Sequence, residues 1–298
     1  MTSDSLLILG TGALGTLFAA RLAASGVEVT MLGAWPEGLE ALRKHGARLS
    51  GQSAGAPVRA TDRPEDCRGA TQALVLVKAW KTGRAAELLA VCLAPGGLAL
   101  TLQNGLGNRE SLAARLGEAR VALGVTTVGA SLLEPGVALP GGNGTITLES
   151  HPQLGLLEGM LRGAGFEVQT VEDAAGLVWG KLAVNAAINP VTALLRLSNG
   201  QLLKRPGARA LMGELAGETA AVAAKLGVKL PFPDPRQAAE EVARRTAENR
   251  SSMLQDVLRG APTEIEAING AVVRLGEQAG VPTPVNRVVC GLIRSLAD

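Results

Sequence analysis

Leu6-Leu7-Ile8-Leu9 is an unbroken apolar run that ends directly on Gly10-Thr11-Gly12-Ala13-Leu14-Gly15, and helical spacing begins there. A short run with no polar residue suits a strand covered on both faces. A strand that leads into a G-x-G-x-x-G turn and then a helix is the opening of a βαβ unit. The glycines permit a tight turn, close approach of a pyrophosphate and tight helix–strand contact, while unpaired N–H groups at the helix start attract anions. A purely structural turn is the competing reading, because a chain with 38 glycines offers chance matches. The position at the first strand–helix junction favours dinucleotide binding by Gly10, Thr11, Gly12, Ala13, Leu14 and Gly15.

The same alternation continues along the chain. Leu14, Leu17, Phe18, Arg21 and Leu22 form a helical stripe closed by Gly26, and Val27 to Leu32 reads as a second strand. Further strands are expected at Ala73 to Val77, Leu98 to Leu102, Val121 to Val125 and Val168 to Val171. Helices at Gly83 to Val91 and Asn108 to Leu116 separate them. This order predicts a doubly wound parallel sheet with right-handed crossovers, a Rossmann-type α/β half. The Gly-rich stretch from Gly136 to Thr147 reads as a loop with an antiparallel edge. After about Glu172 no alternating strand is found, and long helical patterns take over. They run from Gly176 to Leu195, Arg205 to Leu226, Asp234 to Asn249, Ser252 to Leu258, Thr263 to Ala279 and Pro284 to Leu296. Two domains are therefore expected, α/β over 1–172 and all-α over 173–298.

Composition narrows the chemistry. The 298 residues include no tyrosine and only two histidines, His45 and His151, so a phenolic acid is excluded and His-centred schemes have little material. Twenty-nine basic residues face 27 acidic ones with no dense basic run, which argues against nucleic acid binding. Cys67, Cys92 and Cys290 are scattered and odd in number, which fits neither a disulfide scaffold nor a zinc site; no metal is expected. There is no signal-peptide pattern and no window apolar enough for a membrane helix, so a cytoplasmic protein is expected.

Cofactor choice is ordinarily read at the end of the second strand, where an acid favours NAD and an arginine NADP. Here Met31-Leu32-Gly33-Ala34-Trp35-Pro36-Glu37 supplies neither at the expected place, and both cofactors stay open. In the helical half, Lys181, Asn185 and Asn189 recur at intervals of four within an apolar helix, so they share one face with a drift of about 40° per step. A solvent-facing surface is the bland reading; the apolar surroundings favour a purpose, since burying a lysine is costly. A second polar island runs from Arg250 to Asp256 and on through Pro262, Thr263 and Glu264. Glu264 can be read locally as an acid favoured in a helix's first turn, and Asp256 and Glu266 as structural or solvated.

Taken together, GTGALG at 10–15, VKAWKT at 77–82, LQNGLGN at 102–108, KLAVNAAINPVTAL at 181–194, SNG at 198–200 and SSMLQDVLRGAPTEIEAINGAVV at 251–273 resemble the 2-dehydropantoate 2-reductase (ketopantoate reductase) family almost end to end. The resemblance implies a Rossmann domain joined to a helical domain like that of 6-phosphogluconate dehydrogenase. It also implies reduction of 2-dehydropantoate to pantoate in pantothenate and coenzyme A biosynthesis, with NADP(H) as cofactor and NAD(H) use not excluded. Lys181 would be the general acid. Asn104, Asn185, Asn189, Asn199, Ser252 and Glu264 would bind substrate, Ser252 through its carboxylate. Lys78, Asn104, Ala130 and Glu264 would join the glycine loop in holding cofactor. Many members carry arginine where this chain has Gly33, a departure that bears on the NADP preference.

The chemistry accords with these roles. Reducing a ketone needs a hydride on carbon and a proton on oxygen, and an ammonium beside the carbonyl both neutralises the growing charge and donates. The implied partner is a small 2-keto acid, with closure of the helical half over the cofactor as the means of excluding water. A homodimer is compatible with the sequence, though no pattern demands it. Two rivals remain: a related dehydrogenase of another 2-keto or 3-hydroxy acid, and a non-catalytic nucleotide-binding regulator. The second has no need for a proton donor.

Overall fold

The computed structural model describes residues 5–296. They divide into two compact units, one of 5–103 and 108–174, the other of 104–107 and 175–296.

In the first unit the strands are β1 (Ser5–Leu9), β2 (Glu28–Leu32), β3 (Arg48–Leu49), β4 (Arg59–Thr61), β5 (Ala70–Val75), β6 (Leu93–Thr101), β7 (Val121–Thr126), β8 (Ala130–Glu134), β9 (Val137–Pro140), β10 (Thr145–Glu149) and β11 (Glu167–Val171). Its helices are α1 (Ala13–Ala24), α2 (Pro36–His45), α3 (Thr82–Cys92), α4 (Asn108–Leu116) and α5 (Gly155–Gly163). Eight strands form one sheet in the order β11-β10-β7-β6-β5-β1-β2-β4, parallel throughout from β7 to β4. Central β1 is buried along its whole length, as its unbroken apolar run requires. Leu6 and Ile8 face one core layer with Phe18 and Leu22 of α1, while Leu7 and Leu9 face the other with Leu89 of α3. Phe18 stacks on Phe166 at a centroid distance of 4.4 Å.

The stretch from Gly136 to Thr147 divides between two sheets. β9 pairs antiparallel with β8 in a separate three-stranded sheet, whereas β10 joins the main sheet antiparallel to β7. α2 and α5 were not anticipated; α2 is rich in charge, and its apolar face is narrow.

The second unit has helices and no strand among its described residues: α6 (Ala175–Leu195), α7 (Asn199–Leu203), α8 (Pro206–Lys225), α9 (Pro235–Arg245), α10 (Ser252–Leu258), α11 (Asn269–Ala279) and α12 (Pro284–Arg294). α6 lies at the centre of an apolar cluster with Leu215 and Val222 of α8, Ala239 and Ala243 of α9, and Ile293 of α12. One expectation is corrected: the last-but-one helix begins at Asn269, not Thr263, and residues 264–268 form a turn. Pro262 and Glu264 have the composition of a helix start, but the Ala267 carbonyl accepts from the Leu106 N–H at 2.9 Å and is not directed along a helix. Glu264 is consequently a turn residue and not a first-turn acid.

A buried polar network ties the helices together. The Glu218 carboxylate accepts from the Val285 and Asn286 N–H groups, both at 2.9 Å, and so caps α12 from a neighbouring helix. Asn286, wholly buried, donates to Glu218 Oε2 at 2.8 Å and accepts from Asn269 at 2.9 Å. Asn286→Ala removes its side-chain bonds to Glu218 and Asn269, leaves one Asn269 amide proton unpaired in the core, and is expected to destabilise the protein by about 3 kcal/mol, read from urea unfolding.

Candidate active site

In the first unit the glycine turn is built as a cradle. Gly10 has φ +121°, and a Cβ there would press on the Leu76 carbonyl at 3.0 Å. At Gly15 a Cβ would fall 2.1 Å from the Gly10 oxygen, so only glycine lets α1 start this close to β1. At Gly12, the N-cap of α1, a Cβ would meet nothing within 4 Å. That open approach to a helix N-terminus is what a pyrophosphate needs, so the residues present fit a dinucleotide. Thr11 is buried, and its side chain occupies the place where a Cβ on Gly33 would go, at 2.6 Å. Any side chain at position 33 would therefore have to displace Thr11.

Lys78 follows the C-terminal end of β5, half-buried, and Ala130 opens β8 shortly beyond β7. The segment carrying Lys78 is held by Gln103, which sequence reasoning passed over. Its amide donates to the Val77 carbonyl and to Thr82 Oγ1, both at 2.9 Å. Thr82 in turn donates to Asn108 Oδ1 at 2.8 Å, or to the Ala79 carbonyl at the same distance. A glutamine inside the LQNGLGN block was the available signal.

In the second unit α6 carries Lys181 and Asn185, both half-buried, and Asn189, buried. Gly180 lets α6 pack against the Pro231 ring, where a Cβ would come within 2.8 Å. Burial pushes the Lys181 ammonium down from its usual 10.5 to about 8, with the Glu264 carboxylate opposing the shift. Glu264 is itself buried and accepts from the Asn104 amide at 3.4 Å. Asn104 is brought there because the 104–107 segment belongs to this unit. Gly105, at φ +83°, lies so close to the 264–267 turn that a Cβ would sit 2.4 Å from the Ala267 oxygen.

Ser252 is the first residue of α10, and its neighbour Ser251 anchors it. Ser251 Oγ caps the Leu254 N–H at 3.1 Å, lies 2.6 Å from Thr192 Oγ1, and is 3.5 Å from the Asn189 carbonyl. Thr192 bonds the same carbonyl at 2.8 Å. Ser251 and Thr192 therefore pin the start of α10 to α6, a role the paired serines hinted at but did not reveal. The structure thus links Lys181, Glu264 and Asn104 in one group, and Asn189 with the Ser252 segment in another, with Asn185 between them on α6. Asn199 stands apart from both groups. Its amide donates to Thr246 Oγ1 at 2.8 Å, its N–H bonds the Asn249 carbonyl at 3.0 Å, and its Oδ1 is buried without a partner.

Asp256 is buried and paired with Arg259 at 2.8 Å, and Glu266 is exposed against Arg294, so both are structural. Among the described residues no group of His, Cys, Asp or Glu could hold a metal ion, and no helix is long and apolar enough to cross a membrane.

Fold and site together define a two-unit oxidoreductase architecture, a Rossmann-type unit with a glycine cradle and a helical unit with a desolvated lysine–carboxylate pair. The chain belongs to the ketopantoate reductase family: residues 6–153 match the family described as "Ketopantoate reductase PanE/ApbA" and residues 173–297 its C-terminal part. A 2-dehydropantoate 2-reductase of Archaeoglobus fulgidus is 39% identical over 97% of this chain and 96% of its own. A solved PanE/ApbA family ketopantoate reductase from Ralstonia eutropha JMP134 is 34% identical, with a TM-score of 0.91 covering 99% of this chain and 98% of that one. At 24% identity a D-mandelate dehydrogenase solved with NADH has the same TM-score, 0.91, over 99% and 98% of the two chains, so the fold extends to a dehydrogenase of another name.

Proposed function

We propose that this chain reduces 2-dehydropantoate to pantoate, with NADPH as the preferred hydride donor. The observation that carries the reading is the Lys181–Glu264 pair with Asn104 on the same carboxylate. A lysine held near 8 is mostly protonated at neutral pH yet gives up its proton more easily than a free one, which suits a general acid. The bound nicotinamide cofactor supplies the hydride. Lys181 donates to the carbonyl oxygen as negative charge develops on it. Glu264 keeps Lys181 charged before transfer and accepts from the substrate's primary hydroxyl. Asn104, Asn185 and Asn189 orient the substrate without adding charge and Ser252 bonds its carboxylate, whereas Asn199 is engaged with Thr246 and the Asn249 carbonyl. The glycine cradle, Lys78 and Ala130 hold the cofactor.

Absorbance at 340 nm, followed with NADPH and with NADH against a panel of 2-keto acids including 2-dehydropantoate, tests this directly. Fastest turnover on 2-dehydropantoate is expected; a faster rate on another 2-keto acid, or none on any, would reject the reading. Because Thr11 and Gly33 exclude the usual arginine, preference for NADPH over NADH is expected to be modest, and to rest on Lys78. Lys78→Ala is expected to raise the KM for NADPH roughly tenfold, the worth of one charge-assisted hydrogen bond, with kcat little changed. Initial rates across a range of NADPH concentrations measure it.

A further inference from the structure

Pro190 stands inside α6, and a proline has no N–H to give the carbonyl four residues before it. That carbonyl belongs to Ala186, between Asn185 and Asn189, where a proline ring crowds the backbone of the preceding turn. Asn269, wholly buried at the start of α11, donates its Nδ2 to the Ala186 carbonyl at 3.0 Å. The other Nδ2 proton goes to Asn286 Oδ1 at 2.9 Å, while Asn269 Oδ1 is buried without a partner. The buried, unpaired oxygen offsets part of what the amide gains at Ala186 and Asn286. An alanine in place of Pro190, with an apolar residue in place of Asn269, would close the helix ladder without either feature. What Pro190 and Asn269 retain together is the shape of α6 at the place where its polar face meets Asn189.

We propose that Asn269 is a positioning residue: by holding the carbonyl that Pro190 leaves open, it fixes the turn of α6 that sets Lys181 and Asn185 relative to Asn189. The inference rests on the reading of that face as the reductase site. Misplacement by about 1 Å can cost 10²-fold in rate, so a helix turn held by one hydrogen bond has kinetic weight.

The test is a cycle of Asn269→Leu, Pro190→Ala and the double variant, read by melting temperature, by kcat and KM, and by the pH profile of kcat. Asn269→Leu is expected to melt several degrees lower, to lose about tenfold in kcat, and to shift the alkaline limb that reports Lys181. In the double variant the N–H gained through Pro190→Ala takes the Ala186 carbonyl. Its melting temperature is then expected to recover much of the loss, with Asn286 Oδ1 still lacking its Asn269 donor, while kcat stays about tenfold low and the KM for the keto acid changes little. A double variant with recovered melting and wild-type kcat overturns the proposal, as do melting losses that simply add. If Asn269→Leu alone does not fold, comparing Pro190→Ala with the double variant gives the same information. A wild-type chain that reduces no 2-keto acid, while the melting cycle remains coupled, rejects the reductase reading and leaves the helix-holding contact in place.

Discussion

Replacing Lys181 by alanine is expected to lower kcat about 10³-fold, the range in which a positioned general acid contributes, with the KM for NADPH near wild type. Glu264 and Asn104 remain in place in that variant, so their mutual bond does not substitute for the lost proton. The wild-type profile should identify the same group. With Lys181 held at about 8, kcat is expected to be level below that value and to fall tenfold per unit above it, as the acid is lost. Stability should move in the opposite direction. Between about 8 and 10.5 the unfolded chain keeps a proton on this lysine that the folded one has released. The unfolded state therefore binds more protons there, and this group's contribution to stability rises with pH across that window. Urea unfolding at pH 7.5 and pH 9.5, beside rates at the same values, checks both signs. An alkaline limb that survives in the residual activity of Lys181→Ala would assign the titration to another group.

The second large effect is expected at a glycine. Gly105→Ala places a methyl 2.4 Å from the Ala267 oxygen on a backbone at φ +83°, so the 104–107 segment must shift away from the turn. Two contacts go with it: the Leu106 N–H on Ala267, and Asn104 on Glu264. A displacement of about 1 Å at Asn104 is expected to reduce kcat/KM by about 10²-fold. Cofactor binding, which depends on the cradle at Gly10 to Gly15, should be unaffected. Titrating NADPH by fluorescence beside steady-state rates separates the two, and equal losses in both would show that the damage had spread beyond the segment.

Much of this was visible in the sequence where the signal is local. The Leu6 to Leu9 run marks β1 because a strand buried on both faces cannot alternate, and Lys181, Asn185 and Asn189 fall on one face because a helix repeats every 3.6 residues. Long-range partners carried the rest. Thr263 to Asn269 has every local mark of a helix start, yet its Ala267 carbonyl is taken by a residue far earlier in the chain, Leu106. Gly136 to Thr147 gives no composition cue that its two strands join different sheets. In the site, spacing identified the polar face of α6, and the resemblance supplied the roles. Asn269 escaped notice because its partner, Ala186, lies 83 residues away. Pro190, however, announces an open carbonyl to anyone who asks where the helix bonds go.

The tetrapeptide 104–107 has a consequence for how such a chain can be divided. It is covalently part of the stretch that builds the dinucleotide-binding sheet, between β6 and α4, but structurally it belongs to the helical unit. The boundary near 174 is therefore not a clean cut. A fragment beginning at Ala175 would carry the lysine, the glutamate and every helix of that unit, and would lack the peptide that occupies the 264–267 turn. Grafting this helical unit onto a different nucleotide-binding partner would reproduce the packing of the 264–267 turn only if those four residues were transplanted with it. No single cut in the chain therefore separates the two units, because one of them keeps a piece of itself inside the other's sequence.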